Sequence, residues 1–520
     1  MLVRDPVDAG PVSTRRRRVV AVAAVVLGAA ALGTSTTLHD EVLIEAGADA
    51  PVNSSARDPG DIRANNSPSL ARNPRRAAEL AVTNRVDSPD YSCALQTSRD
   101  GGRRWRDVPV RIPRGEGRKC YAPDVAFGAD GTLYMSFVTL QGNGNTPAAA
   151  WVASSPDGGR TLSAPRRVVG PLAFQVRLTA DPRRPKRLFL TFLQADSVGL
   201  VRFSGGDQRI QLRRSDDGGR TWSRPSRVSD PRRERILAPS AAVGPGGELY
   251  VLYLDVGDDR LDYEGAHEGN GGPPYGGRFS LVLGRSDDAG ATWQESVVDD
   301  RIVPARRFIA FLPPTPSLAV DPSSGKIYAA FEDGARRPAD VHVWSLARGA
   351  GRWRGPTRVN DTPAGDRTSQ YLPRIAVAPG GRLDVAYYDR RRDVDDKFSD
   401  VSLQSSSDGG RTFSPHATLT NRRFDSRIGA GSEVGLPDLG NRLGLVSERS
   451  AALAVWADTR AGSVGSSKQD IAFARAAVSR PWQRSSAMQA LLRYGGIVVL
   501  LGGLALLMAA SRPRPRPRAA

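Results

Sequence analysis

An eight-residue pattern returns five times along this 520-residue chain: SRDGGRRW at Ser98–Trp105, SPDGGRTL at Ser155–Leu162, SDDGGRTW at Ser215–Trp222, SDDAGATW at Ser286–Trp293 and SSDGGRTF at Ser406–Phe413. The successive first serines are 57, 60, 71 and 120 residues apart, and the last interval is two periods around a degenerate copy, VHVWSLARGAGRW, which keeps Trp353 but not the Asp or the paired Gly. Repeats of this length mark units that cannot bury both faces alone and must stack on their neighbours. Within each box the Asp suits acceptance of backbone N–H groups in its own turn, and the Gly pair supplies backbone dihedrals costly for other residues. The terminal aromatic suits a return over apolar surface. The boxes are therefore expected as hairpin staples at the periphery of the repeats. A Ca²⁺ loop is the alternative, against which each copy offers too few regularly spaced oxygen side chains.

A second element precedes each box: two short apolar or alternating segments around a Gly, Pro or Asp turn, as neighbouring antiparallel strands require. Examples are SAAVGPGGELYVLYLD from Ser240 and RIAVAPGGRLDVAYYD from Arg374. The seven starts are Ser69, Asp124, Arg177, Ser240, Ser317, Arg374 and Arg442. Each unit reads as strand, turn, strand, connection, third strand, boxed turn and short outer strand. With Gly 54 and Pro 38 supplying turns, the expected class is an all-β propeller with seven blades, six being the alternative. The seventh unit has no clear box and ends in DIAFARAAV, Asp470–Val478; EVLIEA, Glu41–Ala46, is expected to complete it and close the ring, which hides otherwise open sheet edges.

Boxes and strand pattern together resemble the Asp-box, or BNR-repeat, proteins of the sialidase-like propeller superfamily, over residues from roughly 65 to 478. The resemblance implies a sugar carboxylate held by three Arg, an acidic acid/base residue and a Tyr nucleophile activated by Glu. Arg177, Arg374 and Arg442 share one strand register and match the first part, and a guanidinium fork suits carboxylate, phosphate or sulfate. Tyr387 and Tyr388 are candidate nucleophiles, with Asp389 and Glu433 as candidate acidic partners. Asp255, Asp333, Asp389 and Asp458 all close second strands, where the structural reading is a cap on the connection, with Asp389 or Asp458 paired to Arg390 or Arg460. The pattern departs from the family at its Arg-Ile-Pro motif: the only RIP, Arg111–Pro113, follows the first box and has Val110 before it. The insertion Asp262–Gly277 reads as a surface excursion or a lip over the central cavity. No phosphate loop, dinucleotide fingerprint, HExxH or Ser triad is present, and the 4 His are too dispersed for a shared metal site. Neither a cofactor nor a metal is expected.

The ends carry a different message. Arg15–Arg18 run into an uncharged stretch, Val19–Leu38, which reads as a secretory signal or an uncleaved anchor. Tyr494–Ser511 is also uncharged, rich in Leu, Ile and Val, and followed by RPRPRPR, Arg512–Arg518, so a transmembrane helix is expected there. The positive-inside rule then places the Arg tail in the cytoplasm and the propeller on the extracytoplasmic side of the cell membrane. The organisation read from this is a basic n-region at 1–18, signal or span at 19–38, linker and closing strand at 39–66, propeller at 67–480, juxtamembrane linker at 481–493, helix at 494–511 and Pro/Arg tail at 512–520. Half of the net charge of +18 sits in the two ends, so no nucleic-acid partner is expected; membrane lipid and a cell-surface or extracellular glycan or other anionic ligand are. Cys93 and Cys120, the only two cysteines, can form one disulfide in an oxidising extracytoplasmic space, tying the first repeat to the entry of the second, with two buried thiols as the alternative. The functional expectation is a membrane-tethered propeller that binds a glycan or other anionic ligand. The alternatives are an exo-α-sialidase or related glycoside hydrolase, and a structural or protein-binding propeller.

Overall fold

The computed structural model describes residues 14–37, 42–58, 60–143, 145–197, 208–259, 275–305, 315–335, 339–395, 397–431, 438–463, 465–479 and 486–511. They divide into two compact units, residues 44–478 and the two ends of the chain.

Residues 44–478 form seven antiparallel sheets, each a meander in sequence order, spanning 65–107, 120–169, 173–227, 236–302, 317–358, 370–418 and 444–479. The innermost strands contact one another in a complete circle, so the sheets are the blades of a closed propeller. The count is seven, and the six-bladed alternative does not hold. Blade 7 has three strands of its own, and its outer edge is covered from the other end of the sequence: Leu43–Ala46 and Ala50–Pro51 both pair with Asp470–Ser479, and Gly47 N–H donates to Arg475 O at 3.0 Å. Asp49, between those two strands, is 2.8 Å from Arg460, fixing the closure with an ion pair. Apolar clusters fill the spaces between blades; the largest joins Phe189, Leu193, Tyr253, Phe279, Phe331 and Trp344 from blades 3, 4 and 5.

The boxes lie at the turns between third and outer strands. Asp217 Oδ1 accepts from Arg220 N–H and Thr221 N–H at 2.9 Å each, and Oδ2 accepts from the Thr221 hydroxyl. The first residue has an additional role: Ser215 Oγ accepts from the buried N–H of the second glycine, Gly219, at 2.8 Å, and the same bond recurs at Ser98, Ser155, Ser286 and Ser406. Desolvation acts against the charge of Asp217, but the bonds from Thr221, Ser215 and Arg220 hold its carboxyl down at about 2. Trp222 packs into the cluster between blades 2 and 3, and Trp105 meets Phe473 edge to face at 5.5 Å where blade 1 adjoins blade 7. Cys93 and Cys120 are bonded, linking blade 1's third strand to blade 2's innermost strand.

The innermost strands of blades 1, 2, 3, 4 and 6 each break register once, and at each break one non-glycine residue takes a left-handed conformation: Ser67, Ala122, Gln175, Ala238 and Leu372, with φ between 47° and 59°. Such a conformation costs roughly 1–2 kcal/mol for a residue with a Cβ, and at Ala238 and Leu372 a side chain from the preceding blade offsets it. Gln175 Oε1 accepts from Ala238 N–H and Glu332 Oε2 from Leu372 N–H, both at 2.6 Å. Pairing resumes at Ser69, Asp124, Arg177, Ser240 and Arg374. A bulge re-aims the residues around it, so these five side chains leave the ladder in a common way.

The remaining unit consists of two helices, Thr14–Thr37 and Ser486–Ser511. Among the described residues, one helical stretch, Ala490–Ala509, is long and apolar enough to cross a membrane; the apolar part of the first helix, Val19–Ala30, is shorter. The second helix begins at Ser486, before the apolar run expected from Tyr494, because SAMQALLR is composed largely of good helix formers. The helices touch backbone to backbone: a Cβ on Gly28 would lie 2.6 Å from Leu500 N, and one on Gly503 would lie 2.8 Å from Val25 N. The Pro/Arg tail, 512–520, lies outside the described residues.

Candidate functional site

The boxes of blades 1, 2, 3, 4 and 6 and the turns between first and second strands lie at one end of the propeller, while the turns between second and third strands and the connections between blades lie at the other. The second end carries a cavity of about 560 Å³ lined by parts of blade 1, blade 2 and the connection into blade 7, including Arg85, Asp87, Tyr91, Tyr121, Asp438 and Asn441. Arg85 is its hub. Nη1 donates to Tyr121 Oη at 2.8 Å, and Nη2 donates to Asp87 Oδ2 at 2.6 Å and also to Asp438 Oδ2. The guanidinium lies 5.0 Å from the Tyr121 ring centre, and Tyr91 meets Tyr121 edge to face at 6.0 Å.

Burial opposes the positive charge of Arg85, but Asp87, Tyr121 and Asp438 outweigh it and keep the guanidinium protonated. Burial pushes the Asp87 carboxyl up, with Arg85 acting in the other direction, and it pushes the Tyr91 hydroxyl up to about 12. Two carboxylates therefore share one buried cation beside two tyrosine rings. Asp87 Oδ1, Asn441 Oδ1 and Arg85 Nε are buried polar atoms without a hydrogen-bond partner among the described residues. Rings beside unsatisfied donors and acceptors suit a polyhydroxylated ligand.

Asn441 leads directly to Arg442, one of the three arginines singled out by register. Arg442 Nη2 donates to Pro123 O at 2.5 Å, and Arg177 Nη2 donates to Thr315 Oγ1 at 3.1 Å, so each reaches from its own blade to another. Burial lowers the pKa of both Arg374 and Arg442, and Asp124 acts on both in the opposite direction. Asp124 in turn accepts from Leu178 N–H at 3.0 Å, next to Arg177. Arg177 Nη1, Arg374 Nε and Arg442 Nε are all buried without a hydrogen-bond partner among the described residues. Arg177 and Arg374 belong to innermost strands at matching register, whereas the expected match fails at Arg442: Gly444 holds that register in blade 7, and Arg442 precedes the strand, next in sequence to the cavity residue Asn441.

The other candidates lie elsewhere. Tyr388 is fully buried, and its hydroxyl accepts from Ala457 N–H at 3.0 Å, pinning blade 6 to blade 7. Tyr387 is also fully buried, and donates to Gln404 Oε1 at 2.5 Å. Asp389 accepts from Arg391 N–H at 3.0 Å, Arg391 Nε at 2.5 Å and Ser402 Oγ at 2.7 Å. It is a cap, as the structural reading has it, but its ion-pair partner is Arg391 and not Arg390, whose guanidinium instead lies over Tyr371 and donates to Ser426 Oγ. The expected pairing of Asp458 with Arg460 is present. Asp255 pairs with Arg233 at 2.6 Å, and Asp333 accepts from Ala335 N–H. Glu433 and most of the insertion, residues 260–274, lie outside the described residues. A tyrosine–glutamate pair does form, from Tyr253 to Glu295, but burial first and that hydrogen bond second drive the Tyr253 hydroxyl far up, away from an ionised nucleophile.

Sequence reading missed Arg85, Asp87, Tyr91, Tyr121 and Asp438. The signal was faint: TNRVDSPDY, residues 83–91, places Arg and Asp at the end of a strand and before a Pro turn, a pattern shared with ordinary caps.

The class of protein so defined is a closed seven-bladed β-propeller that carries a polar cavity around Arg85 at the end opposite its boxes. No family model matches the chain, and no curated protein matches it. Among solved structures it is similar to a protein of unknown function from Dyadobacter fermentans DSM 18053 (14% identity, covering 84% of this chain and 99% of that one, TM-score 0.47). It is also similar to the Hadza microbial sialidase Hz136 (15% identity, 76% and 73% covered, TM-score 0.41) and to the GH93 α-L-arabinofuranosidase of Fusarium graminearum (16% identity, 71% and 95% covered, TM-score 0.41). The fold assignment rests on the seven sheets themselves.

Proposed function

We propose that this chain is a membrane-tethered propeller of Asp-box type that binds an acidic glycan at the Arg85 end. The observation that carries the reading is a cavity lined by Arg85, two carboxylates and two tyrosines, whose lining residue Asn441 is the chain neighbour of the buried Arg442. A sugar ring would lie against Tyr91 and Tyr121, its hydroxyls on Asp87 and Asp438, and its anionic group toward Arg177, Arg374 and Arg442. The apolar helix Ala490–Ala509 supports the tether, and the glycine contacts at Gly28 and Gly503 favour retention of the first helix as a second anchor. The Cys93–Cys120 disulfide favours an oxidising, extracytoplasmic compartment.

Calorimetric titration of the purified chain with acidic and neutral oligosaccharides tests the binding reading. An acidic ligand should bind, and Arg442→Met should weaken it by about 10- to 150-fold, the equivalent of one charge-assisted hydrogen bond, while Tyr91→Ala weakens acidic and neutral ligands alike. Equal affinity of a folded Arg442→Met variant for the acidic ligand overturns it.

A second reading, glycoside hydrolysis, is favoured by one feature: Asp87 and Asp438 both accept from Arg85 Nη2. Carboxyl groups close together suit a retaining mechanism, and the raised Asp87 carboxyl suits the acid role. Tyr388 and Asp389 are engaged elsewhere, so the assignment moves to this pair. Release of the aglycone from aryl glycosides, abolished in both Asp87→Asn and Asp438→Asn, is the expected result; absence of turnover across a broad panel leaves only the binding reading.

A further inference from the structure

The propeller's two ends differ, and the chain's two exits lie at the same one. Asp470–Ser479 runs from the cavity end, where it starts beside Asp458, to the box end, where Val478 N–H donates to Ser450 O in the turn between blade 7's first and second strands. The closing strand Leu43–Ala46 pairs with that same final strand, and Gly47 N–H meets Arg475 O. Both connections to the helical ends therefore leave from the box end of blade 7. Only residues 479–485 separate Val478 from the helix starting at Ser486, and a connection of that length extends to about 25 Å at most.

That same end presents exposed cations at repeated positions. The sixth box residue is Arg103, Arg160, Arg220 and Arg411 in blades 1, 2, 3 and 6, and each is exposed. The box carboxylates do not compete for these guanidinium groups as free acids would, because Asp157, Asp217 and Asp408 each accept from two backbone N–H groups and a threonine hydroxyl of their own turn. The neighbouring first-to-second-strand turn of blade 3 adds exposed Arg184 and Lys186. Backbone acceptance fixes some of these turns: Gly218 N–H donates to Lys186 O at 2.9 Å within blade 3, and Arg99 Nη2 to Asp157 O at 2.7 Å between the boxes of blades 1 and 2.

We infer that the box end is a docking face for anionic lipid headgroups, so that the Arg85 cavity opens away from the bilayer. The inference rests on the membrane tether proposed above. The boxes then do two things with one motif: Ser, Asp and Gly close the turn, and the exposed Arg that follows them faces the headgroups, in blade 3 with Arg220 Nε also donating to Asp217 O at 3.0 Å. Anionic headgroups attract clustered Lys and Arg near the surface over roughly a Debye length, about 8 Å at physiological salt.

The test is arginine-selective dicarbonyl labelling, read by mass spectrometry, of the full chain in nanodiscs of phosphatidylcholine alone or mixed with phosphatidylglycerol. Arg103, Arg160, Arg220 and Arg411 should lose labelling in the anionic discs, and 1 M NaCl should restore it, while Arg423 and Arg427 at the cavity end label equally in both. Replacing Arg103, Arg160 and Arg220 with Gln should also restore labelling of Arg411, since the face acts collectively. If the chain enters the discs but box arginines label equally in both lipids, docking is overturned and the tether stands. If the cavity-end arginines are the protected ones, the orientation is reversed and the inference fails. If the chain does not enter discs at all, the tether itself fails and the inference with it.

Discussion

Arg85, near the end of blade 1's second strand, donates to Asp438, which lies 353 positions later in the connection that enters blade 7. The same guanidinium holds Asp87 and Tyr121, so one side chain joins three successive blades around the ring. The side chains of Arg85 and its two carboxylate partners are all less than a tenth exposed. Removing the cation therefore leaves two buried acids without their shared partner.

Arg85→Met should cost about 3–5 kcal/mol, the range for breaking a buried ion pair from one side. Combining it with Asp87→Asn and Asp438→Asn should recover most of that loss, because the uncompensated charges are gone. Denaturant unfolding midpoints check both values. A single variant as stable as the parent would show that the cluster contributes nothing to closure.

The fourth box supplies an internal control on backbone strain. Where the other boxes have Gly101, Gly158, Gly218 and Gly409, it has Ala289, held at φ 59°. Ala289→Gly should stabilise the protein by up to about 1 kcal/mol, since relief of left-handed strain is partly offset by greater freedom in the unfolded chain. Gly218→Ala should destabilise it by about 1–2 kcal/mol, and its Cβ would sit 3.0 Å from the Tyr134 hydroxyl. Thermal unfolding of the two variants should move in opposite directions.

Ser215→Ala should cost about 1–3 kcal/mol, because it leaves the buried N–H of Gly219 without its acceptor. Asp217→Ala should cost less, about 1 kcal/mol, since its turn is half open to water and Ser215 still holds Gly219. The contribution of Asp217 has a defined acid limit. Its carboxyl is held at about 2, below the unfolded value of about 3.9. That stability is present above the unfolded value and is lost as pH falls toward 2. Unfolding midpoints of parent and variant should converge over that window.

Glu332 predicts the opposite slope. Burial raises its carboxyl to about 7, with the bond from Leu372 N–H pulling the other way. A group raised in the fold contributes most below its unfolded value, about 4.3, and that contribution is lost as pH rises to about 7, up to roughly 3 kcal/mol in all. Glu332→Gln keeps an acceptor for Leu372 N–H and removes the proton. Stability measured from pH 4 to 8 should lose this part of its pH dependence in the variant; an unchanged profile would place the titration elsewhere.

The part of this protein determined by its sequence alone is the part made of near neighbours. Ser, Asp, Gly and the closing aromatic of each box interact within eight positions, so spelling them out specified the turn, its period and, through seven strand starts, the blade count. The closing strand near Ile44 was legible because an apolar segment before the first unit had one unfilled edge to cover. The caps at Asp389 and Asp458 were legible as caps for the same local reason, although the partner of Asp389 was misplaced by one residue.

Only the tertiary structure decided which side chains meet in the Arg85 cavity. The bulges at Ser67, Ala122, Gln175, Ala238 and Leu372 carry no glycine to announce them, and at Ala238 and Leu372 the acceptor that offsets the strain comes from the preceding blade, far away in sequence. The cavity joins Tyr121, Arg85 and Asp438 from three blades. Their proximity follows from ring closure, which brings the first and last repeats together. A periodic sequence specifies each blade and its neighbour; it does not specify which side chains meet once the last blade returns to the first.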